Sequence, residues 1–552
     1  MNSSWQQTYT LLGQGLPLSA AIASVPIVTL LFLLGVKRKP AWLAALCALG
    51  ITVVLAAAGY KMPPRLILSA AAYGAAFGLF PISWIVLWAI VLYQVTVASG
   101  RFEVIHSSLG SLTTDLRLQA LLVAFAFGAF VEGATGFGTP VAVASAMLVG
   151  FGFNPFYAAA VCLLANTVPV AFGSIGIPVV TLAGITGLPL GPLSAAVGRL
   201  CAPLSMILPG YLIVTMVGWR RMQEVWPAVA LAGGVFGVVQ FLMSNYVSPQ
   251  LTDIVSSLSA ILALLVLLRF WRPRHLLEAG DPSAAAFVEL RGSASYADRR
   301  KYRTGEVLSA WMPYALLVLF VLLWGFKPVQ GLLNSVTINL PWPWLHNVVQ
   351  RMPPVVAVPL HYAALYQVNW LSAAGTACMF AALVSVLLVR LSLRVFLRIL
   401  RDVIRQLFLP TVTVACVLSL AFVMNYCGAT ATLGLAFAGS GALFPFFSPL
   451  LGWLGVFLTG SDTSANALFG NLQVMTASRL GFDPLLMAAA NSAGGVMGKM
   501  ISLQTIAVAA AATGMSVPDQ ARLFRFTLRH SILLTTMVGL EVLLYAYAFT
   551  RH

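Results

Sequence analysis

Apolar runs of close to twenty residues recur along almost the whole of this chain, and they restrict what it can fold into. In a bilayer every backbone N–H and C=O group must be bonded within the protein, which permits only helices and closed barrels. The runs lack the alternation of polar and apolar residues that a barrel strand requires. We therefore predict an all-α polytopic membrane protein with roughly 12 to 14 transmembrane helices.

Composition supports the same class. Only 8% of the 552 residues are charged and 60% are hydrophobic, whereas soluble proteins carry about 25% charged residues. A soluble globular protein is excluded, and residues 1–552 are expected to form a single membrane domain. The net charge of +16 does not indicate a nucleic-acid partner, because the basic residues lie in short loops between apolar runs, where they orient the chain.

These loops predict the orientation of the chain. The first basic cluster, 37–39, follows the first apolar run, so we expect an uncleaved helix with its N-terminus outside. The loop 271–306 is rich in arginine and is expected in the cytoplasm, while 327–369, rich in Pro and Trp, is expected outside or at the interface. Arginines recur at spacings of three and four between Arg390 and Arg405, which predicts a structural or lipid-facing amphipathic helix on the anionic inner leaflet.

Two polar, glycine-rich modules, 118–190 and 449–514, interrupt the apolar sequence and share landmarks about 327 residues apart. The paired landmarks are Glu132–Gly133 with Gly460–Asp462, Gly152–Pro155 with Gly481–Pro484, Asn166 with Asn491, Gly173 with Gly498, and Thr186–Gly187 with Thr513–Gly514. The flanking positive charges predict that the modules cross the bilayer in opposite directions. Inverted repeats with interrupted helices are typical of transporters whose site lies between the two repeats.

The first module places an acidic residue deep in the bilayer. Glu132 follows fourteen residues, 118–131, that are apolar or small except Gln119, which puts it about 21 Å into a core roughly 30 Å thick. Gly133, Gly136 and Gly138 predict a helix break after it, although close helix packing explains these glycines equally well. Thr139–Pro140 then supplies an N-cap residue and an N1 proline, so a half-helix is predicted to begin inside the membrane.

The second module repeats this pattern with other residues. Asp462 lies about 18 Å along its apolar run, and Ser461, Asp462, Thr463 and Ser464 are all favourable N-cap types for a helix running on through Asn466. Two opposed helix N-termini near mid-membrane would present free N–H groups to an anion. We therefore predict a site for an anionic substrate between the modules.

Further breaks are predicted in both modules. Pro169, Pro178 and the pair Gly494–Gly495 make continuous helices unfavourable in 165–178 and 491–504. The polar residues of these stretches are candidates to bond freed backbone groups or a substrate hydroxyl: Asn166, Ser174, Asn491, Ser492, Ser502 and Gln504. Lys499, the only Lys in the last 200 residues, is a candidate counter-ion for Glu132, Asp462 or a substrate carboxylate.

Several strings resemble the L-lactate permease family over nearly the whole chain: FGAFVEGATGFGTPVA, YAAAVCLLANTVPVAFGSIGIP, SPLLGWLGVFLTGSDTSANALF, AANSAGGVMGKMIS and LFRFTLRHS. The resemblance implies a bacterial inner-membrane permease that takes up L-lactate, and in relatives D-lactate or glycolate, with protons. In such a membrane the N-terminus, placed outside by the basic residues, is periplasmic. It also implies two inverted repeats with broken helices or re-entrant hairpins.

The family motifs map onto this sequence residue by residue. The EGA-GFG motif falls on Glu132–Ala134 and Gly136–Gly138, and the GSDTS-NALF motif on Gly460–Ser464 and Asn466–Phe469. The chain departs from the family pattern at Thr135, Ala493 and Leu503. We expect the last two to border the site, so that the preferred 2-hydroxy acid need not be L-lactate.

The resulting hypothesis is a proton symporter. The substrate carboxylate is held by the helix N-termini with Ser461, Thr463 and Lys499, its hydroxyl by Asn166 or Asn491, and Glu132 or Asp462 carries the proton. A sodium-coupled carboxylate or anion carrier remains the alternative. An enzyme is disfavoured because the six His lie outside the motif modules, and no cofactor or metal site is expected.

Overall fold

The computed structural model describes residues 4–11, 15–110, 112–136, 138–278, 281, 287, 302–356 and 358–548. Phe137 and most of the basic loop 279–301 therefore lie outside the described residues. The first half contains α1 Leu16–Gly35, α2 Ala41–Val54, α3 Pro64–Phe77, α4 Trp84–Ala98, α5 Arg101–Gly110, α6 Leu116–Gln119, α7 Gly128–Ala134, α8 Thr139–Gly150, α9 Pro155–Ala165, α10 Gly173–Thr186, α11 Leu190–Val217, α12 Trp219–Gln223, α13 Trp226–Tyr246 and α14 Thr252–Phe270.

The second half is also helical apart from one short β-rich segment. Its helices are α15 Thr304–Gly325, α16 Lys327–Asn334, α17 Ala374–Leu388, α18 Leu393–Cys427, α19 Ala429–Phe437, α20 Phe444–Thr459, α21 Asp462–Leu480, α22 Pro484–Lys499, α23 Leu503–Thr513 and α24 Val517–Ala548. The strands are β1 Trp5–Gln6, β2 Ile338–Pro341, β3 Val349–Arg351, β4 Leu360–His361 and β5 Leu365–Val368. Three π-helical stretches, Leu55–Gly59, Gly78–Ser83 and Ala120–Phe127, continue neighbouring helices.

Within the described ranges, twelve helical segments are long and apolar enough to cross a membrane, or thirteen if one bent pair counts as a span. The bent pair joins Pro155–Ala165 to Val170–Thr186 at an angle of 65°. The predicted all-α polytopic class and number of helices are thus confirmed. Pro64–Ala98 is one apolar segment interrupted at Phe80, whose φ of −141° and ψ of 125° are not helical.

The segment 327–369 forms two small sheets that the sequence did not predict. β2 and β5 pair antiparallel, and β3 lies between β4 and the N-terminal strand β1. The Tyr366 hydroxyl donates to Phe80 O at 2.8 Å and the Tyr426 hydroxyl to Ala363 O at 2.8 Å, which fixes these sheets to the ends of the nearby helices. The N-terminal residues therefore lie on the same face of the helix bundle as 327–369.

The two modules meet opposite faces of the bundle. The single helix α15 separates the loop before residue 304 from the segment after 326, so these connections lie on opposite faces. The turn before α9 meets the first face, because Asn154 N donates to Phe287 O at 2.8 Å. The end of α21 meets the second face, where Arg479 lines a small cavity with Pro354 and Val355. This arrangement supports the predicted inverted repeat.

Each module begins with a helical hairpin whose tip lies inside the bundle. The first hairpin joins α6 and α7 to α8, and the second joins α20 to α21. Left-handed glycines mark equivalent points of the two modules: Gly138 (φ 79°) with Gly460 (70°), Gly152 (98°) with Gly481 (76°), and Gly187 (73°) with Gly514 (68°). α8 packs on α23 and α10 on α21, so equivalent helices exchange partners as a two-fold relation requires.

The base of the first hairpin is held by a buried ion-pair network. The Arg117 guanidinium, which is fully buried, bonds Asp115 at 2.7 Å and Glu224 at 2.6 Å. It also donates to His275 O at 2.7 Å. The network joins the start of this hairpin to α12 and to the chain leaving α14.

The break predicted within 491–504 is present at 500–502, but its assignment to the pair Gly494–Gly495 is wrong. Gly494 and Gly495 lie within the continuous helix α22, and the chain leaves the helix only at 500–502. These glycines serve close packing, because a Cβ on Gly494 would stand 2.0 Å from Pro449 O in α20 and one on Gly495 2.3 Å from Asp462 Oδ1. In a helix whose neighbours approach this closely, glycine is selected by space and does not break the hydrogen-bond ladder.

Candidate functional site

A cavity of about 660 Å³ lies where the tips of the two hairpins meet. The structure brings together in its wall most of the charged and hydroxyl-bearing residues predicted from both modules. They are Glu132, Gly138, Thr139, Ser461, Asp462, Thr463, Ser464, Lys499 and Gln504. Residues more than 300 positions apart therefore share one chamber, as the interrupted repeat predicted.

Both hairpin tips present a helix N-terminus to this cavity. At α21, the Ser461 side chain is the N-cap and accepts from Ser464 N at 3.3 Å, as predicted. At α8 the prediction was one residue out, because the N-cap is Gly138 and Thr139 already lies inside the helix. No side chain caps α8. Thr139 N already donates to Gly136 O and Pro140 has no N–H, so Val141 is the residue of the first turn whose N–H group can bond an anion.

Glu132 lies in the last turn of α7, before the break in the first hairpin. Asp462 lies after the break in the second hairpin. Glu132 is 3% exposed, and its Oε2 has no hydrogen-bond partner among the described residues. Gly173 leaves room for it, since a Cβ there would stand 2.8 Å from Glu132 Oε1. The Asn166 side chain lies beside this carboxyl, and neither of its amide atoms is bonded to a described residue.

Asp462 is held by two side chains on one of its oxygens. Its Oδ2 accepts from Ser492 Oγ at 2.5 Å and from Asn466 Nδ2 at 3.2 Å. Its Oδ1 has no partner within the described part of the chain. One oxygen is thus oriented by the protein, and the other is buried next to Gly495 without a hydrogen-bond partner among the described residues.

Lys499 supplies a buried positive charge at the end of α22. Its charge acts on both Glu132 and Asp462. It nevertheless forms no ion pair with any residue that the structure describes. A buried ammonium without a carboxylate partner is unfavourable by itself and is stabilised by an anion entering the cavity.

Six predicted site residues do not line the cavity: Gly133, Gly136, Asn166, Asn466, Asn491 and Ser502. Asn491 was predicted to hold a substrate hydroxyl, but its amide donates to Asn466 Oδ1 at 2.9 Å and accepts from Gln473 Nε2 at 3.1 Å. Ser502 caps α23 by accepting from Thr505 N at 3.2 Å. At Gly136 a Cβ would stand 1.8 Å from Ser174 Oγ.

These residues therefore shape the site from behind its wall. Gly133 and Gly136 permit close approach of neighbouring elements, and the Asn466–Asn491 pair orients Asp462. The sequence could not distinguish these residues from ones that contact a substrate. A polar residue in a membrane helix needs a partner, and another protein residue serves as well as a substrate.

Several cavity residues were missed because they lie in helices outside the modules. They are Trp42, Tyr93, Gln94, Gln406 and Thr413, from α2, α4 and α18. Gln94 carried a signal, since it is the only amide side chain in the apolar run 82–99. Of the three departures from the family pattern, Thr135 lines the cavity, whereas Ala493 and Leu503 do not.

The wall of the cavity extends toward one face of the bundle. It reaches Ala41 and Trp42, just after the basic cluster 37–39, and Gln406, next to Arg405. Both basic stretches were predicted to be cytoplasmic. The cavity therefore approaches the face to which we assigned the cytoplasm.

Comparisons with known proteins are consistent across the whole chain. The family described as L-lactate permease matches residues 19–549. The glycolate permease GlcA of Escherichia coli (strain K12) is 44% identical over 99% of this chain and 99% of its own length. An L-lactate permease of Salmonella typhimurium is also 44% identical, with 99% of both chains covered. The solved structure of MtrF from Neisseria gonorrhoeae superposes with a TM-score of 0.47 at 12% identity, covering 95% of this chain and 98% of that chain.

Proposed function

Because the chain belongs to the L-lactate permease family, we propose that it imports lactate, glycolate and related 2-hydroxy monocarboxylates across the bacterial inner membrane by proton symport. The observation that carries this proposal is one cavity lined by two helix N-termini, an unpaired lysine and two carboxyl groups. The first two features favour an anion, and the third provides proton carriers.

The substrate carboxylate lies between Lys499 and the N-termini of α8 and α21. Ser461 and Thr463 add hydroxyl groups beside it. Charge-assisted hydrogen bonds of this kind are about twice as strong as neutral ones. The seat thus favours one carboxylate, and Thr135, Gln94 and Gln504 in the same wall provide partners for its hydroxyl.

The charges in the cavity support proton coupling. Glu132 and Asp462 both line the cavity, and each has one buried oxygen without a hydrogen-bond partner among the described residues, which supports a role for both as proton carriers. With Lys499 charged and both carboxyls protonated, one bound monocarboxylate makes the site neutral. An ionised carboxylate would add an unpaired charge inside the bilayer, which is costly to move. Substrate and proton therefore cross together.

The residues that line the cavity support a direction of exposure. Its wall runs toward Trp42 and Gln406, and the sheets of 327–369 lie on the opposite face. The conformation is that of a carrier open toward the cytoplasm, with the N-terminus periplasmic. Import requires a second conformation in which the same seat faces outward.

The test is uptake of radiolabelled lactate into proteoliposomes under an imposed pH gradient, with glycolate and pyruvate as competitors. Accumulation should follow the proton gradient and be unaffected by a sodium gradient. Glu132→Gln and Asp462→Asn should each lower proton-driven accumulation. Facilitated exchange of lactate by the same variants is measured as the control. Sodium-driven accumulation, or proton-driven accumulation that survives both substitutions, would contradict the proposal.

A further inference from the structure

The side-chain amide of Asn466 has more hydrogen-bond acceptors around it than it has hydrogens. Asn466 lies one turn after Asp462 in α21 and is fully buried. Its Nδ2 lies 3.2 Å from Asp462 Oδ2, 3.2 Å from Pro178 O and 3.3 Å from Ser492 Oγ. An amide nitrogen carries two hydrogens. The three acceptors therefore compete for them, and the strongest acceptors are bonded.

The orientation of this amide is determined by its neighbours. Asn466 Oδ1 accepts from Asn491 Nδ2 at 2.9 Å. Asn491 Oδ1 accepts from Gln473 Nε2 at 3.1 Å, and Gln473 Nε2 also donates to Ser448 O at 2.9 Å. Because a backbone carbonyl can only accept, these bonds determine which atom of each amide is the nitrogen. The nitrogen of Asn466 therefore faces the three acceptors.

One of the three acceptors belongs to the other module. Pro178 lies in α10, 288 residues before Asn466 in the chain. α10 packs on α21. α10 begins at Gly173, which lies against the Glu132 carboxyl, since a Cβ there would stand 2.8 Å from Glu132 Oε1. The bond from Asn466 to Pro178 O therefore joins the surroundings of the two carboxyl groups.

The charged groups that face Asp462 lie on its cavity side. α21 packs on α10, α18, α19, α20, α22 and the short stretch between α19 and α20. Apart from α18, the only charged residue of these elements is Lys499, which lines the cavity with Glu132. The charged residues of α18 lie within 394–405, about 30 Å along that helix from its bond to α21. Arg479, in α21 itself, is about 26 Å along the helix from Asp462.

The charge of Asp462 decides the competition for the Asn466 amide. When Asp462 is ionised, its Oδ2 accepts a charge-assisted hydrogen bond, which is about twice as strong as a neutral one. Pro178 O and Ser492 Oγ then compete for the second hydrogen. When Asp462 is protonated, the neutral carboxyl is a weaker acceptor, and both hydrogens are available to Pro178 O and Ser492 Oγ. The bond between the modules is therefore stronger in the protonated form.

We propose that Asn466 is a positioning residue that couples proton binding at Asp462 to the contact between α21 and α10. The anion seat lies between the two modules, and a stronger contact holds the seat together when the proton is bound. Proton and anion then favour the same arrangement of the modules, and each strengthens binding of the other. Asn466 acts without lining the cavity itself. The inference rests on the proposed function, in which Asp462 carries a proton.

The experiment compares hydrogen exchange of residues 173–186 in the full-length wild type and in Asp462→Asn, at one pH above the midpoint of uptake. Asp462→Asn keeps the shape of the side chain and is neutral at every pH. Exchange of these amides should be roughly two- to tenfold slower in Asp462→Asn, as expected when one neutral hydrogen bond is strengthened. In the Asn466→Ala background, Asp462→Asn should cause no slowing, because the effect passes through the Asn466 amide.

Asn471→Ala is the matched control. Asn471 is also buried in α21, and its amide donates to Asn425 Oδ1 in α18 at 3.0 Å. The slowing caused by Asp462→Asn should persist in this background. A merely structural role for Asn466 would change exchange of α10 equally with and without the charge of Asp462. If Asn466→Ala does not fold, Asn466→Ser is measured instead.

Two results overturn the inference. One is equal exchange of residues 173–186 in the wild type and Asp462→Asn, and the other is an undiminished slowing in the Asn466→Ala background. Uptake by the wild type without proton dependence would instead overturn the proposed function. Hydrogen exchange is measured without transport, so the two failures are distinguished.

Discussion

The hydrogen bond between Ser492 and Asp462 allows a quantitative test of proton carriage in the second module. Ser492 Oγ donates to Asp462 Oδ2 at 2.5 Å, and both residues are buried. Substitution Ser492→Ala removes this bond and leaves only the longer contact from Asn466 on the same oxygen. A hydrogen bond to a charged group contributes about 1.5–3 kcal/mol. Since one pH unit corresponds to about 1.4 kcal/mol, the expected change in proton binding is roughly one to two pH units.

The sign follows from which form the bond stabilises. Ser492 donates to the ionised carboxylate, so its loss favours the protonated form. The pH of half-maximal uptake should therefore rise by roughly one to two units in Ser492→Ala. The assay is initial lactate uptake into proteoliposomes over a series of external pH values at constant internal pH.

Ser448→Ala is the matched control. Ser448 is also fully buried and donates to Gln473 Oε1 at 2.8 Å, a neutral acceptor. The control loses a buried hydrogen bond of similar length without a carboxylate, so its midpoint should stay at the wild-type value. Equal midpoints in the two variants, or a shift of Ser492→Ala toward lower pH, would refute the assignment of a proton to Asp462.

Three further predictions concern the anion seat and the packing of the hairpins. Lys499→Gln should weaken lactate binding roughly 10- to 100-fold, as expected for losing a hydrogen bond to a charged group; an unchanged KM in uptake would contradict it. Arg117→Met should destabilise the protein by about 3–5 kcal/mol, because it leaves Asp115 buried without its partner. Arg401→Met, at an exposed pair with Asp402, should lower stability by at most about 1 kcal/mol. Thermal unfolding in detergent compares the two variants. Gly494→Ala should lower stability by about 1–3 kcal/mol through its clash with Pro449. Gly439→Ala, with no heavy atom within 4 Å of its Cβ, should leave stability unchanged. Equal melting temperatures of the two variants would show that α20 can move away.

The positions of the hairpin tips could be predicted because the residues that mark them are close together in the sequence. Depth along an apolar run located Glu132 and Asp462, and glycine with cap-forming residues located the breaks within a residue or two. The ordered landmarks also predicted the repeat, since the turns before α9 and α22 use the same proline at the first helical position and the same type of cap, Asn154 and Asp483.

The rest depended on contacts between distant segments. Whether Gly494 breaks a helix or packs against Pro449 depends on how close α20 lies, and no local pattern records that distance. Asn491 could equally bond a substrate or Asn466.

The exchange of partners between the modules, α8 on α23 and α10 on α21, has a consequence for biogenesis. The first hairpin is synthesised more than three hundred residues before the helix that covers it. Until α23 has been synthesised, the break in the first hairpin and Glu132 are not covered by it and lie against lipid or the insertion machinery. Folding of the first hairpin is therefore completed only after α23 is inserted. We expect a chain truncated before α23 to be degraded as a whole and not to form a shortened carrier.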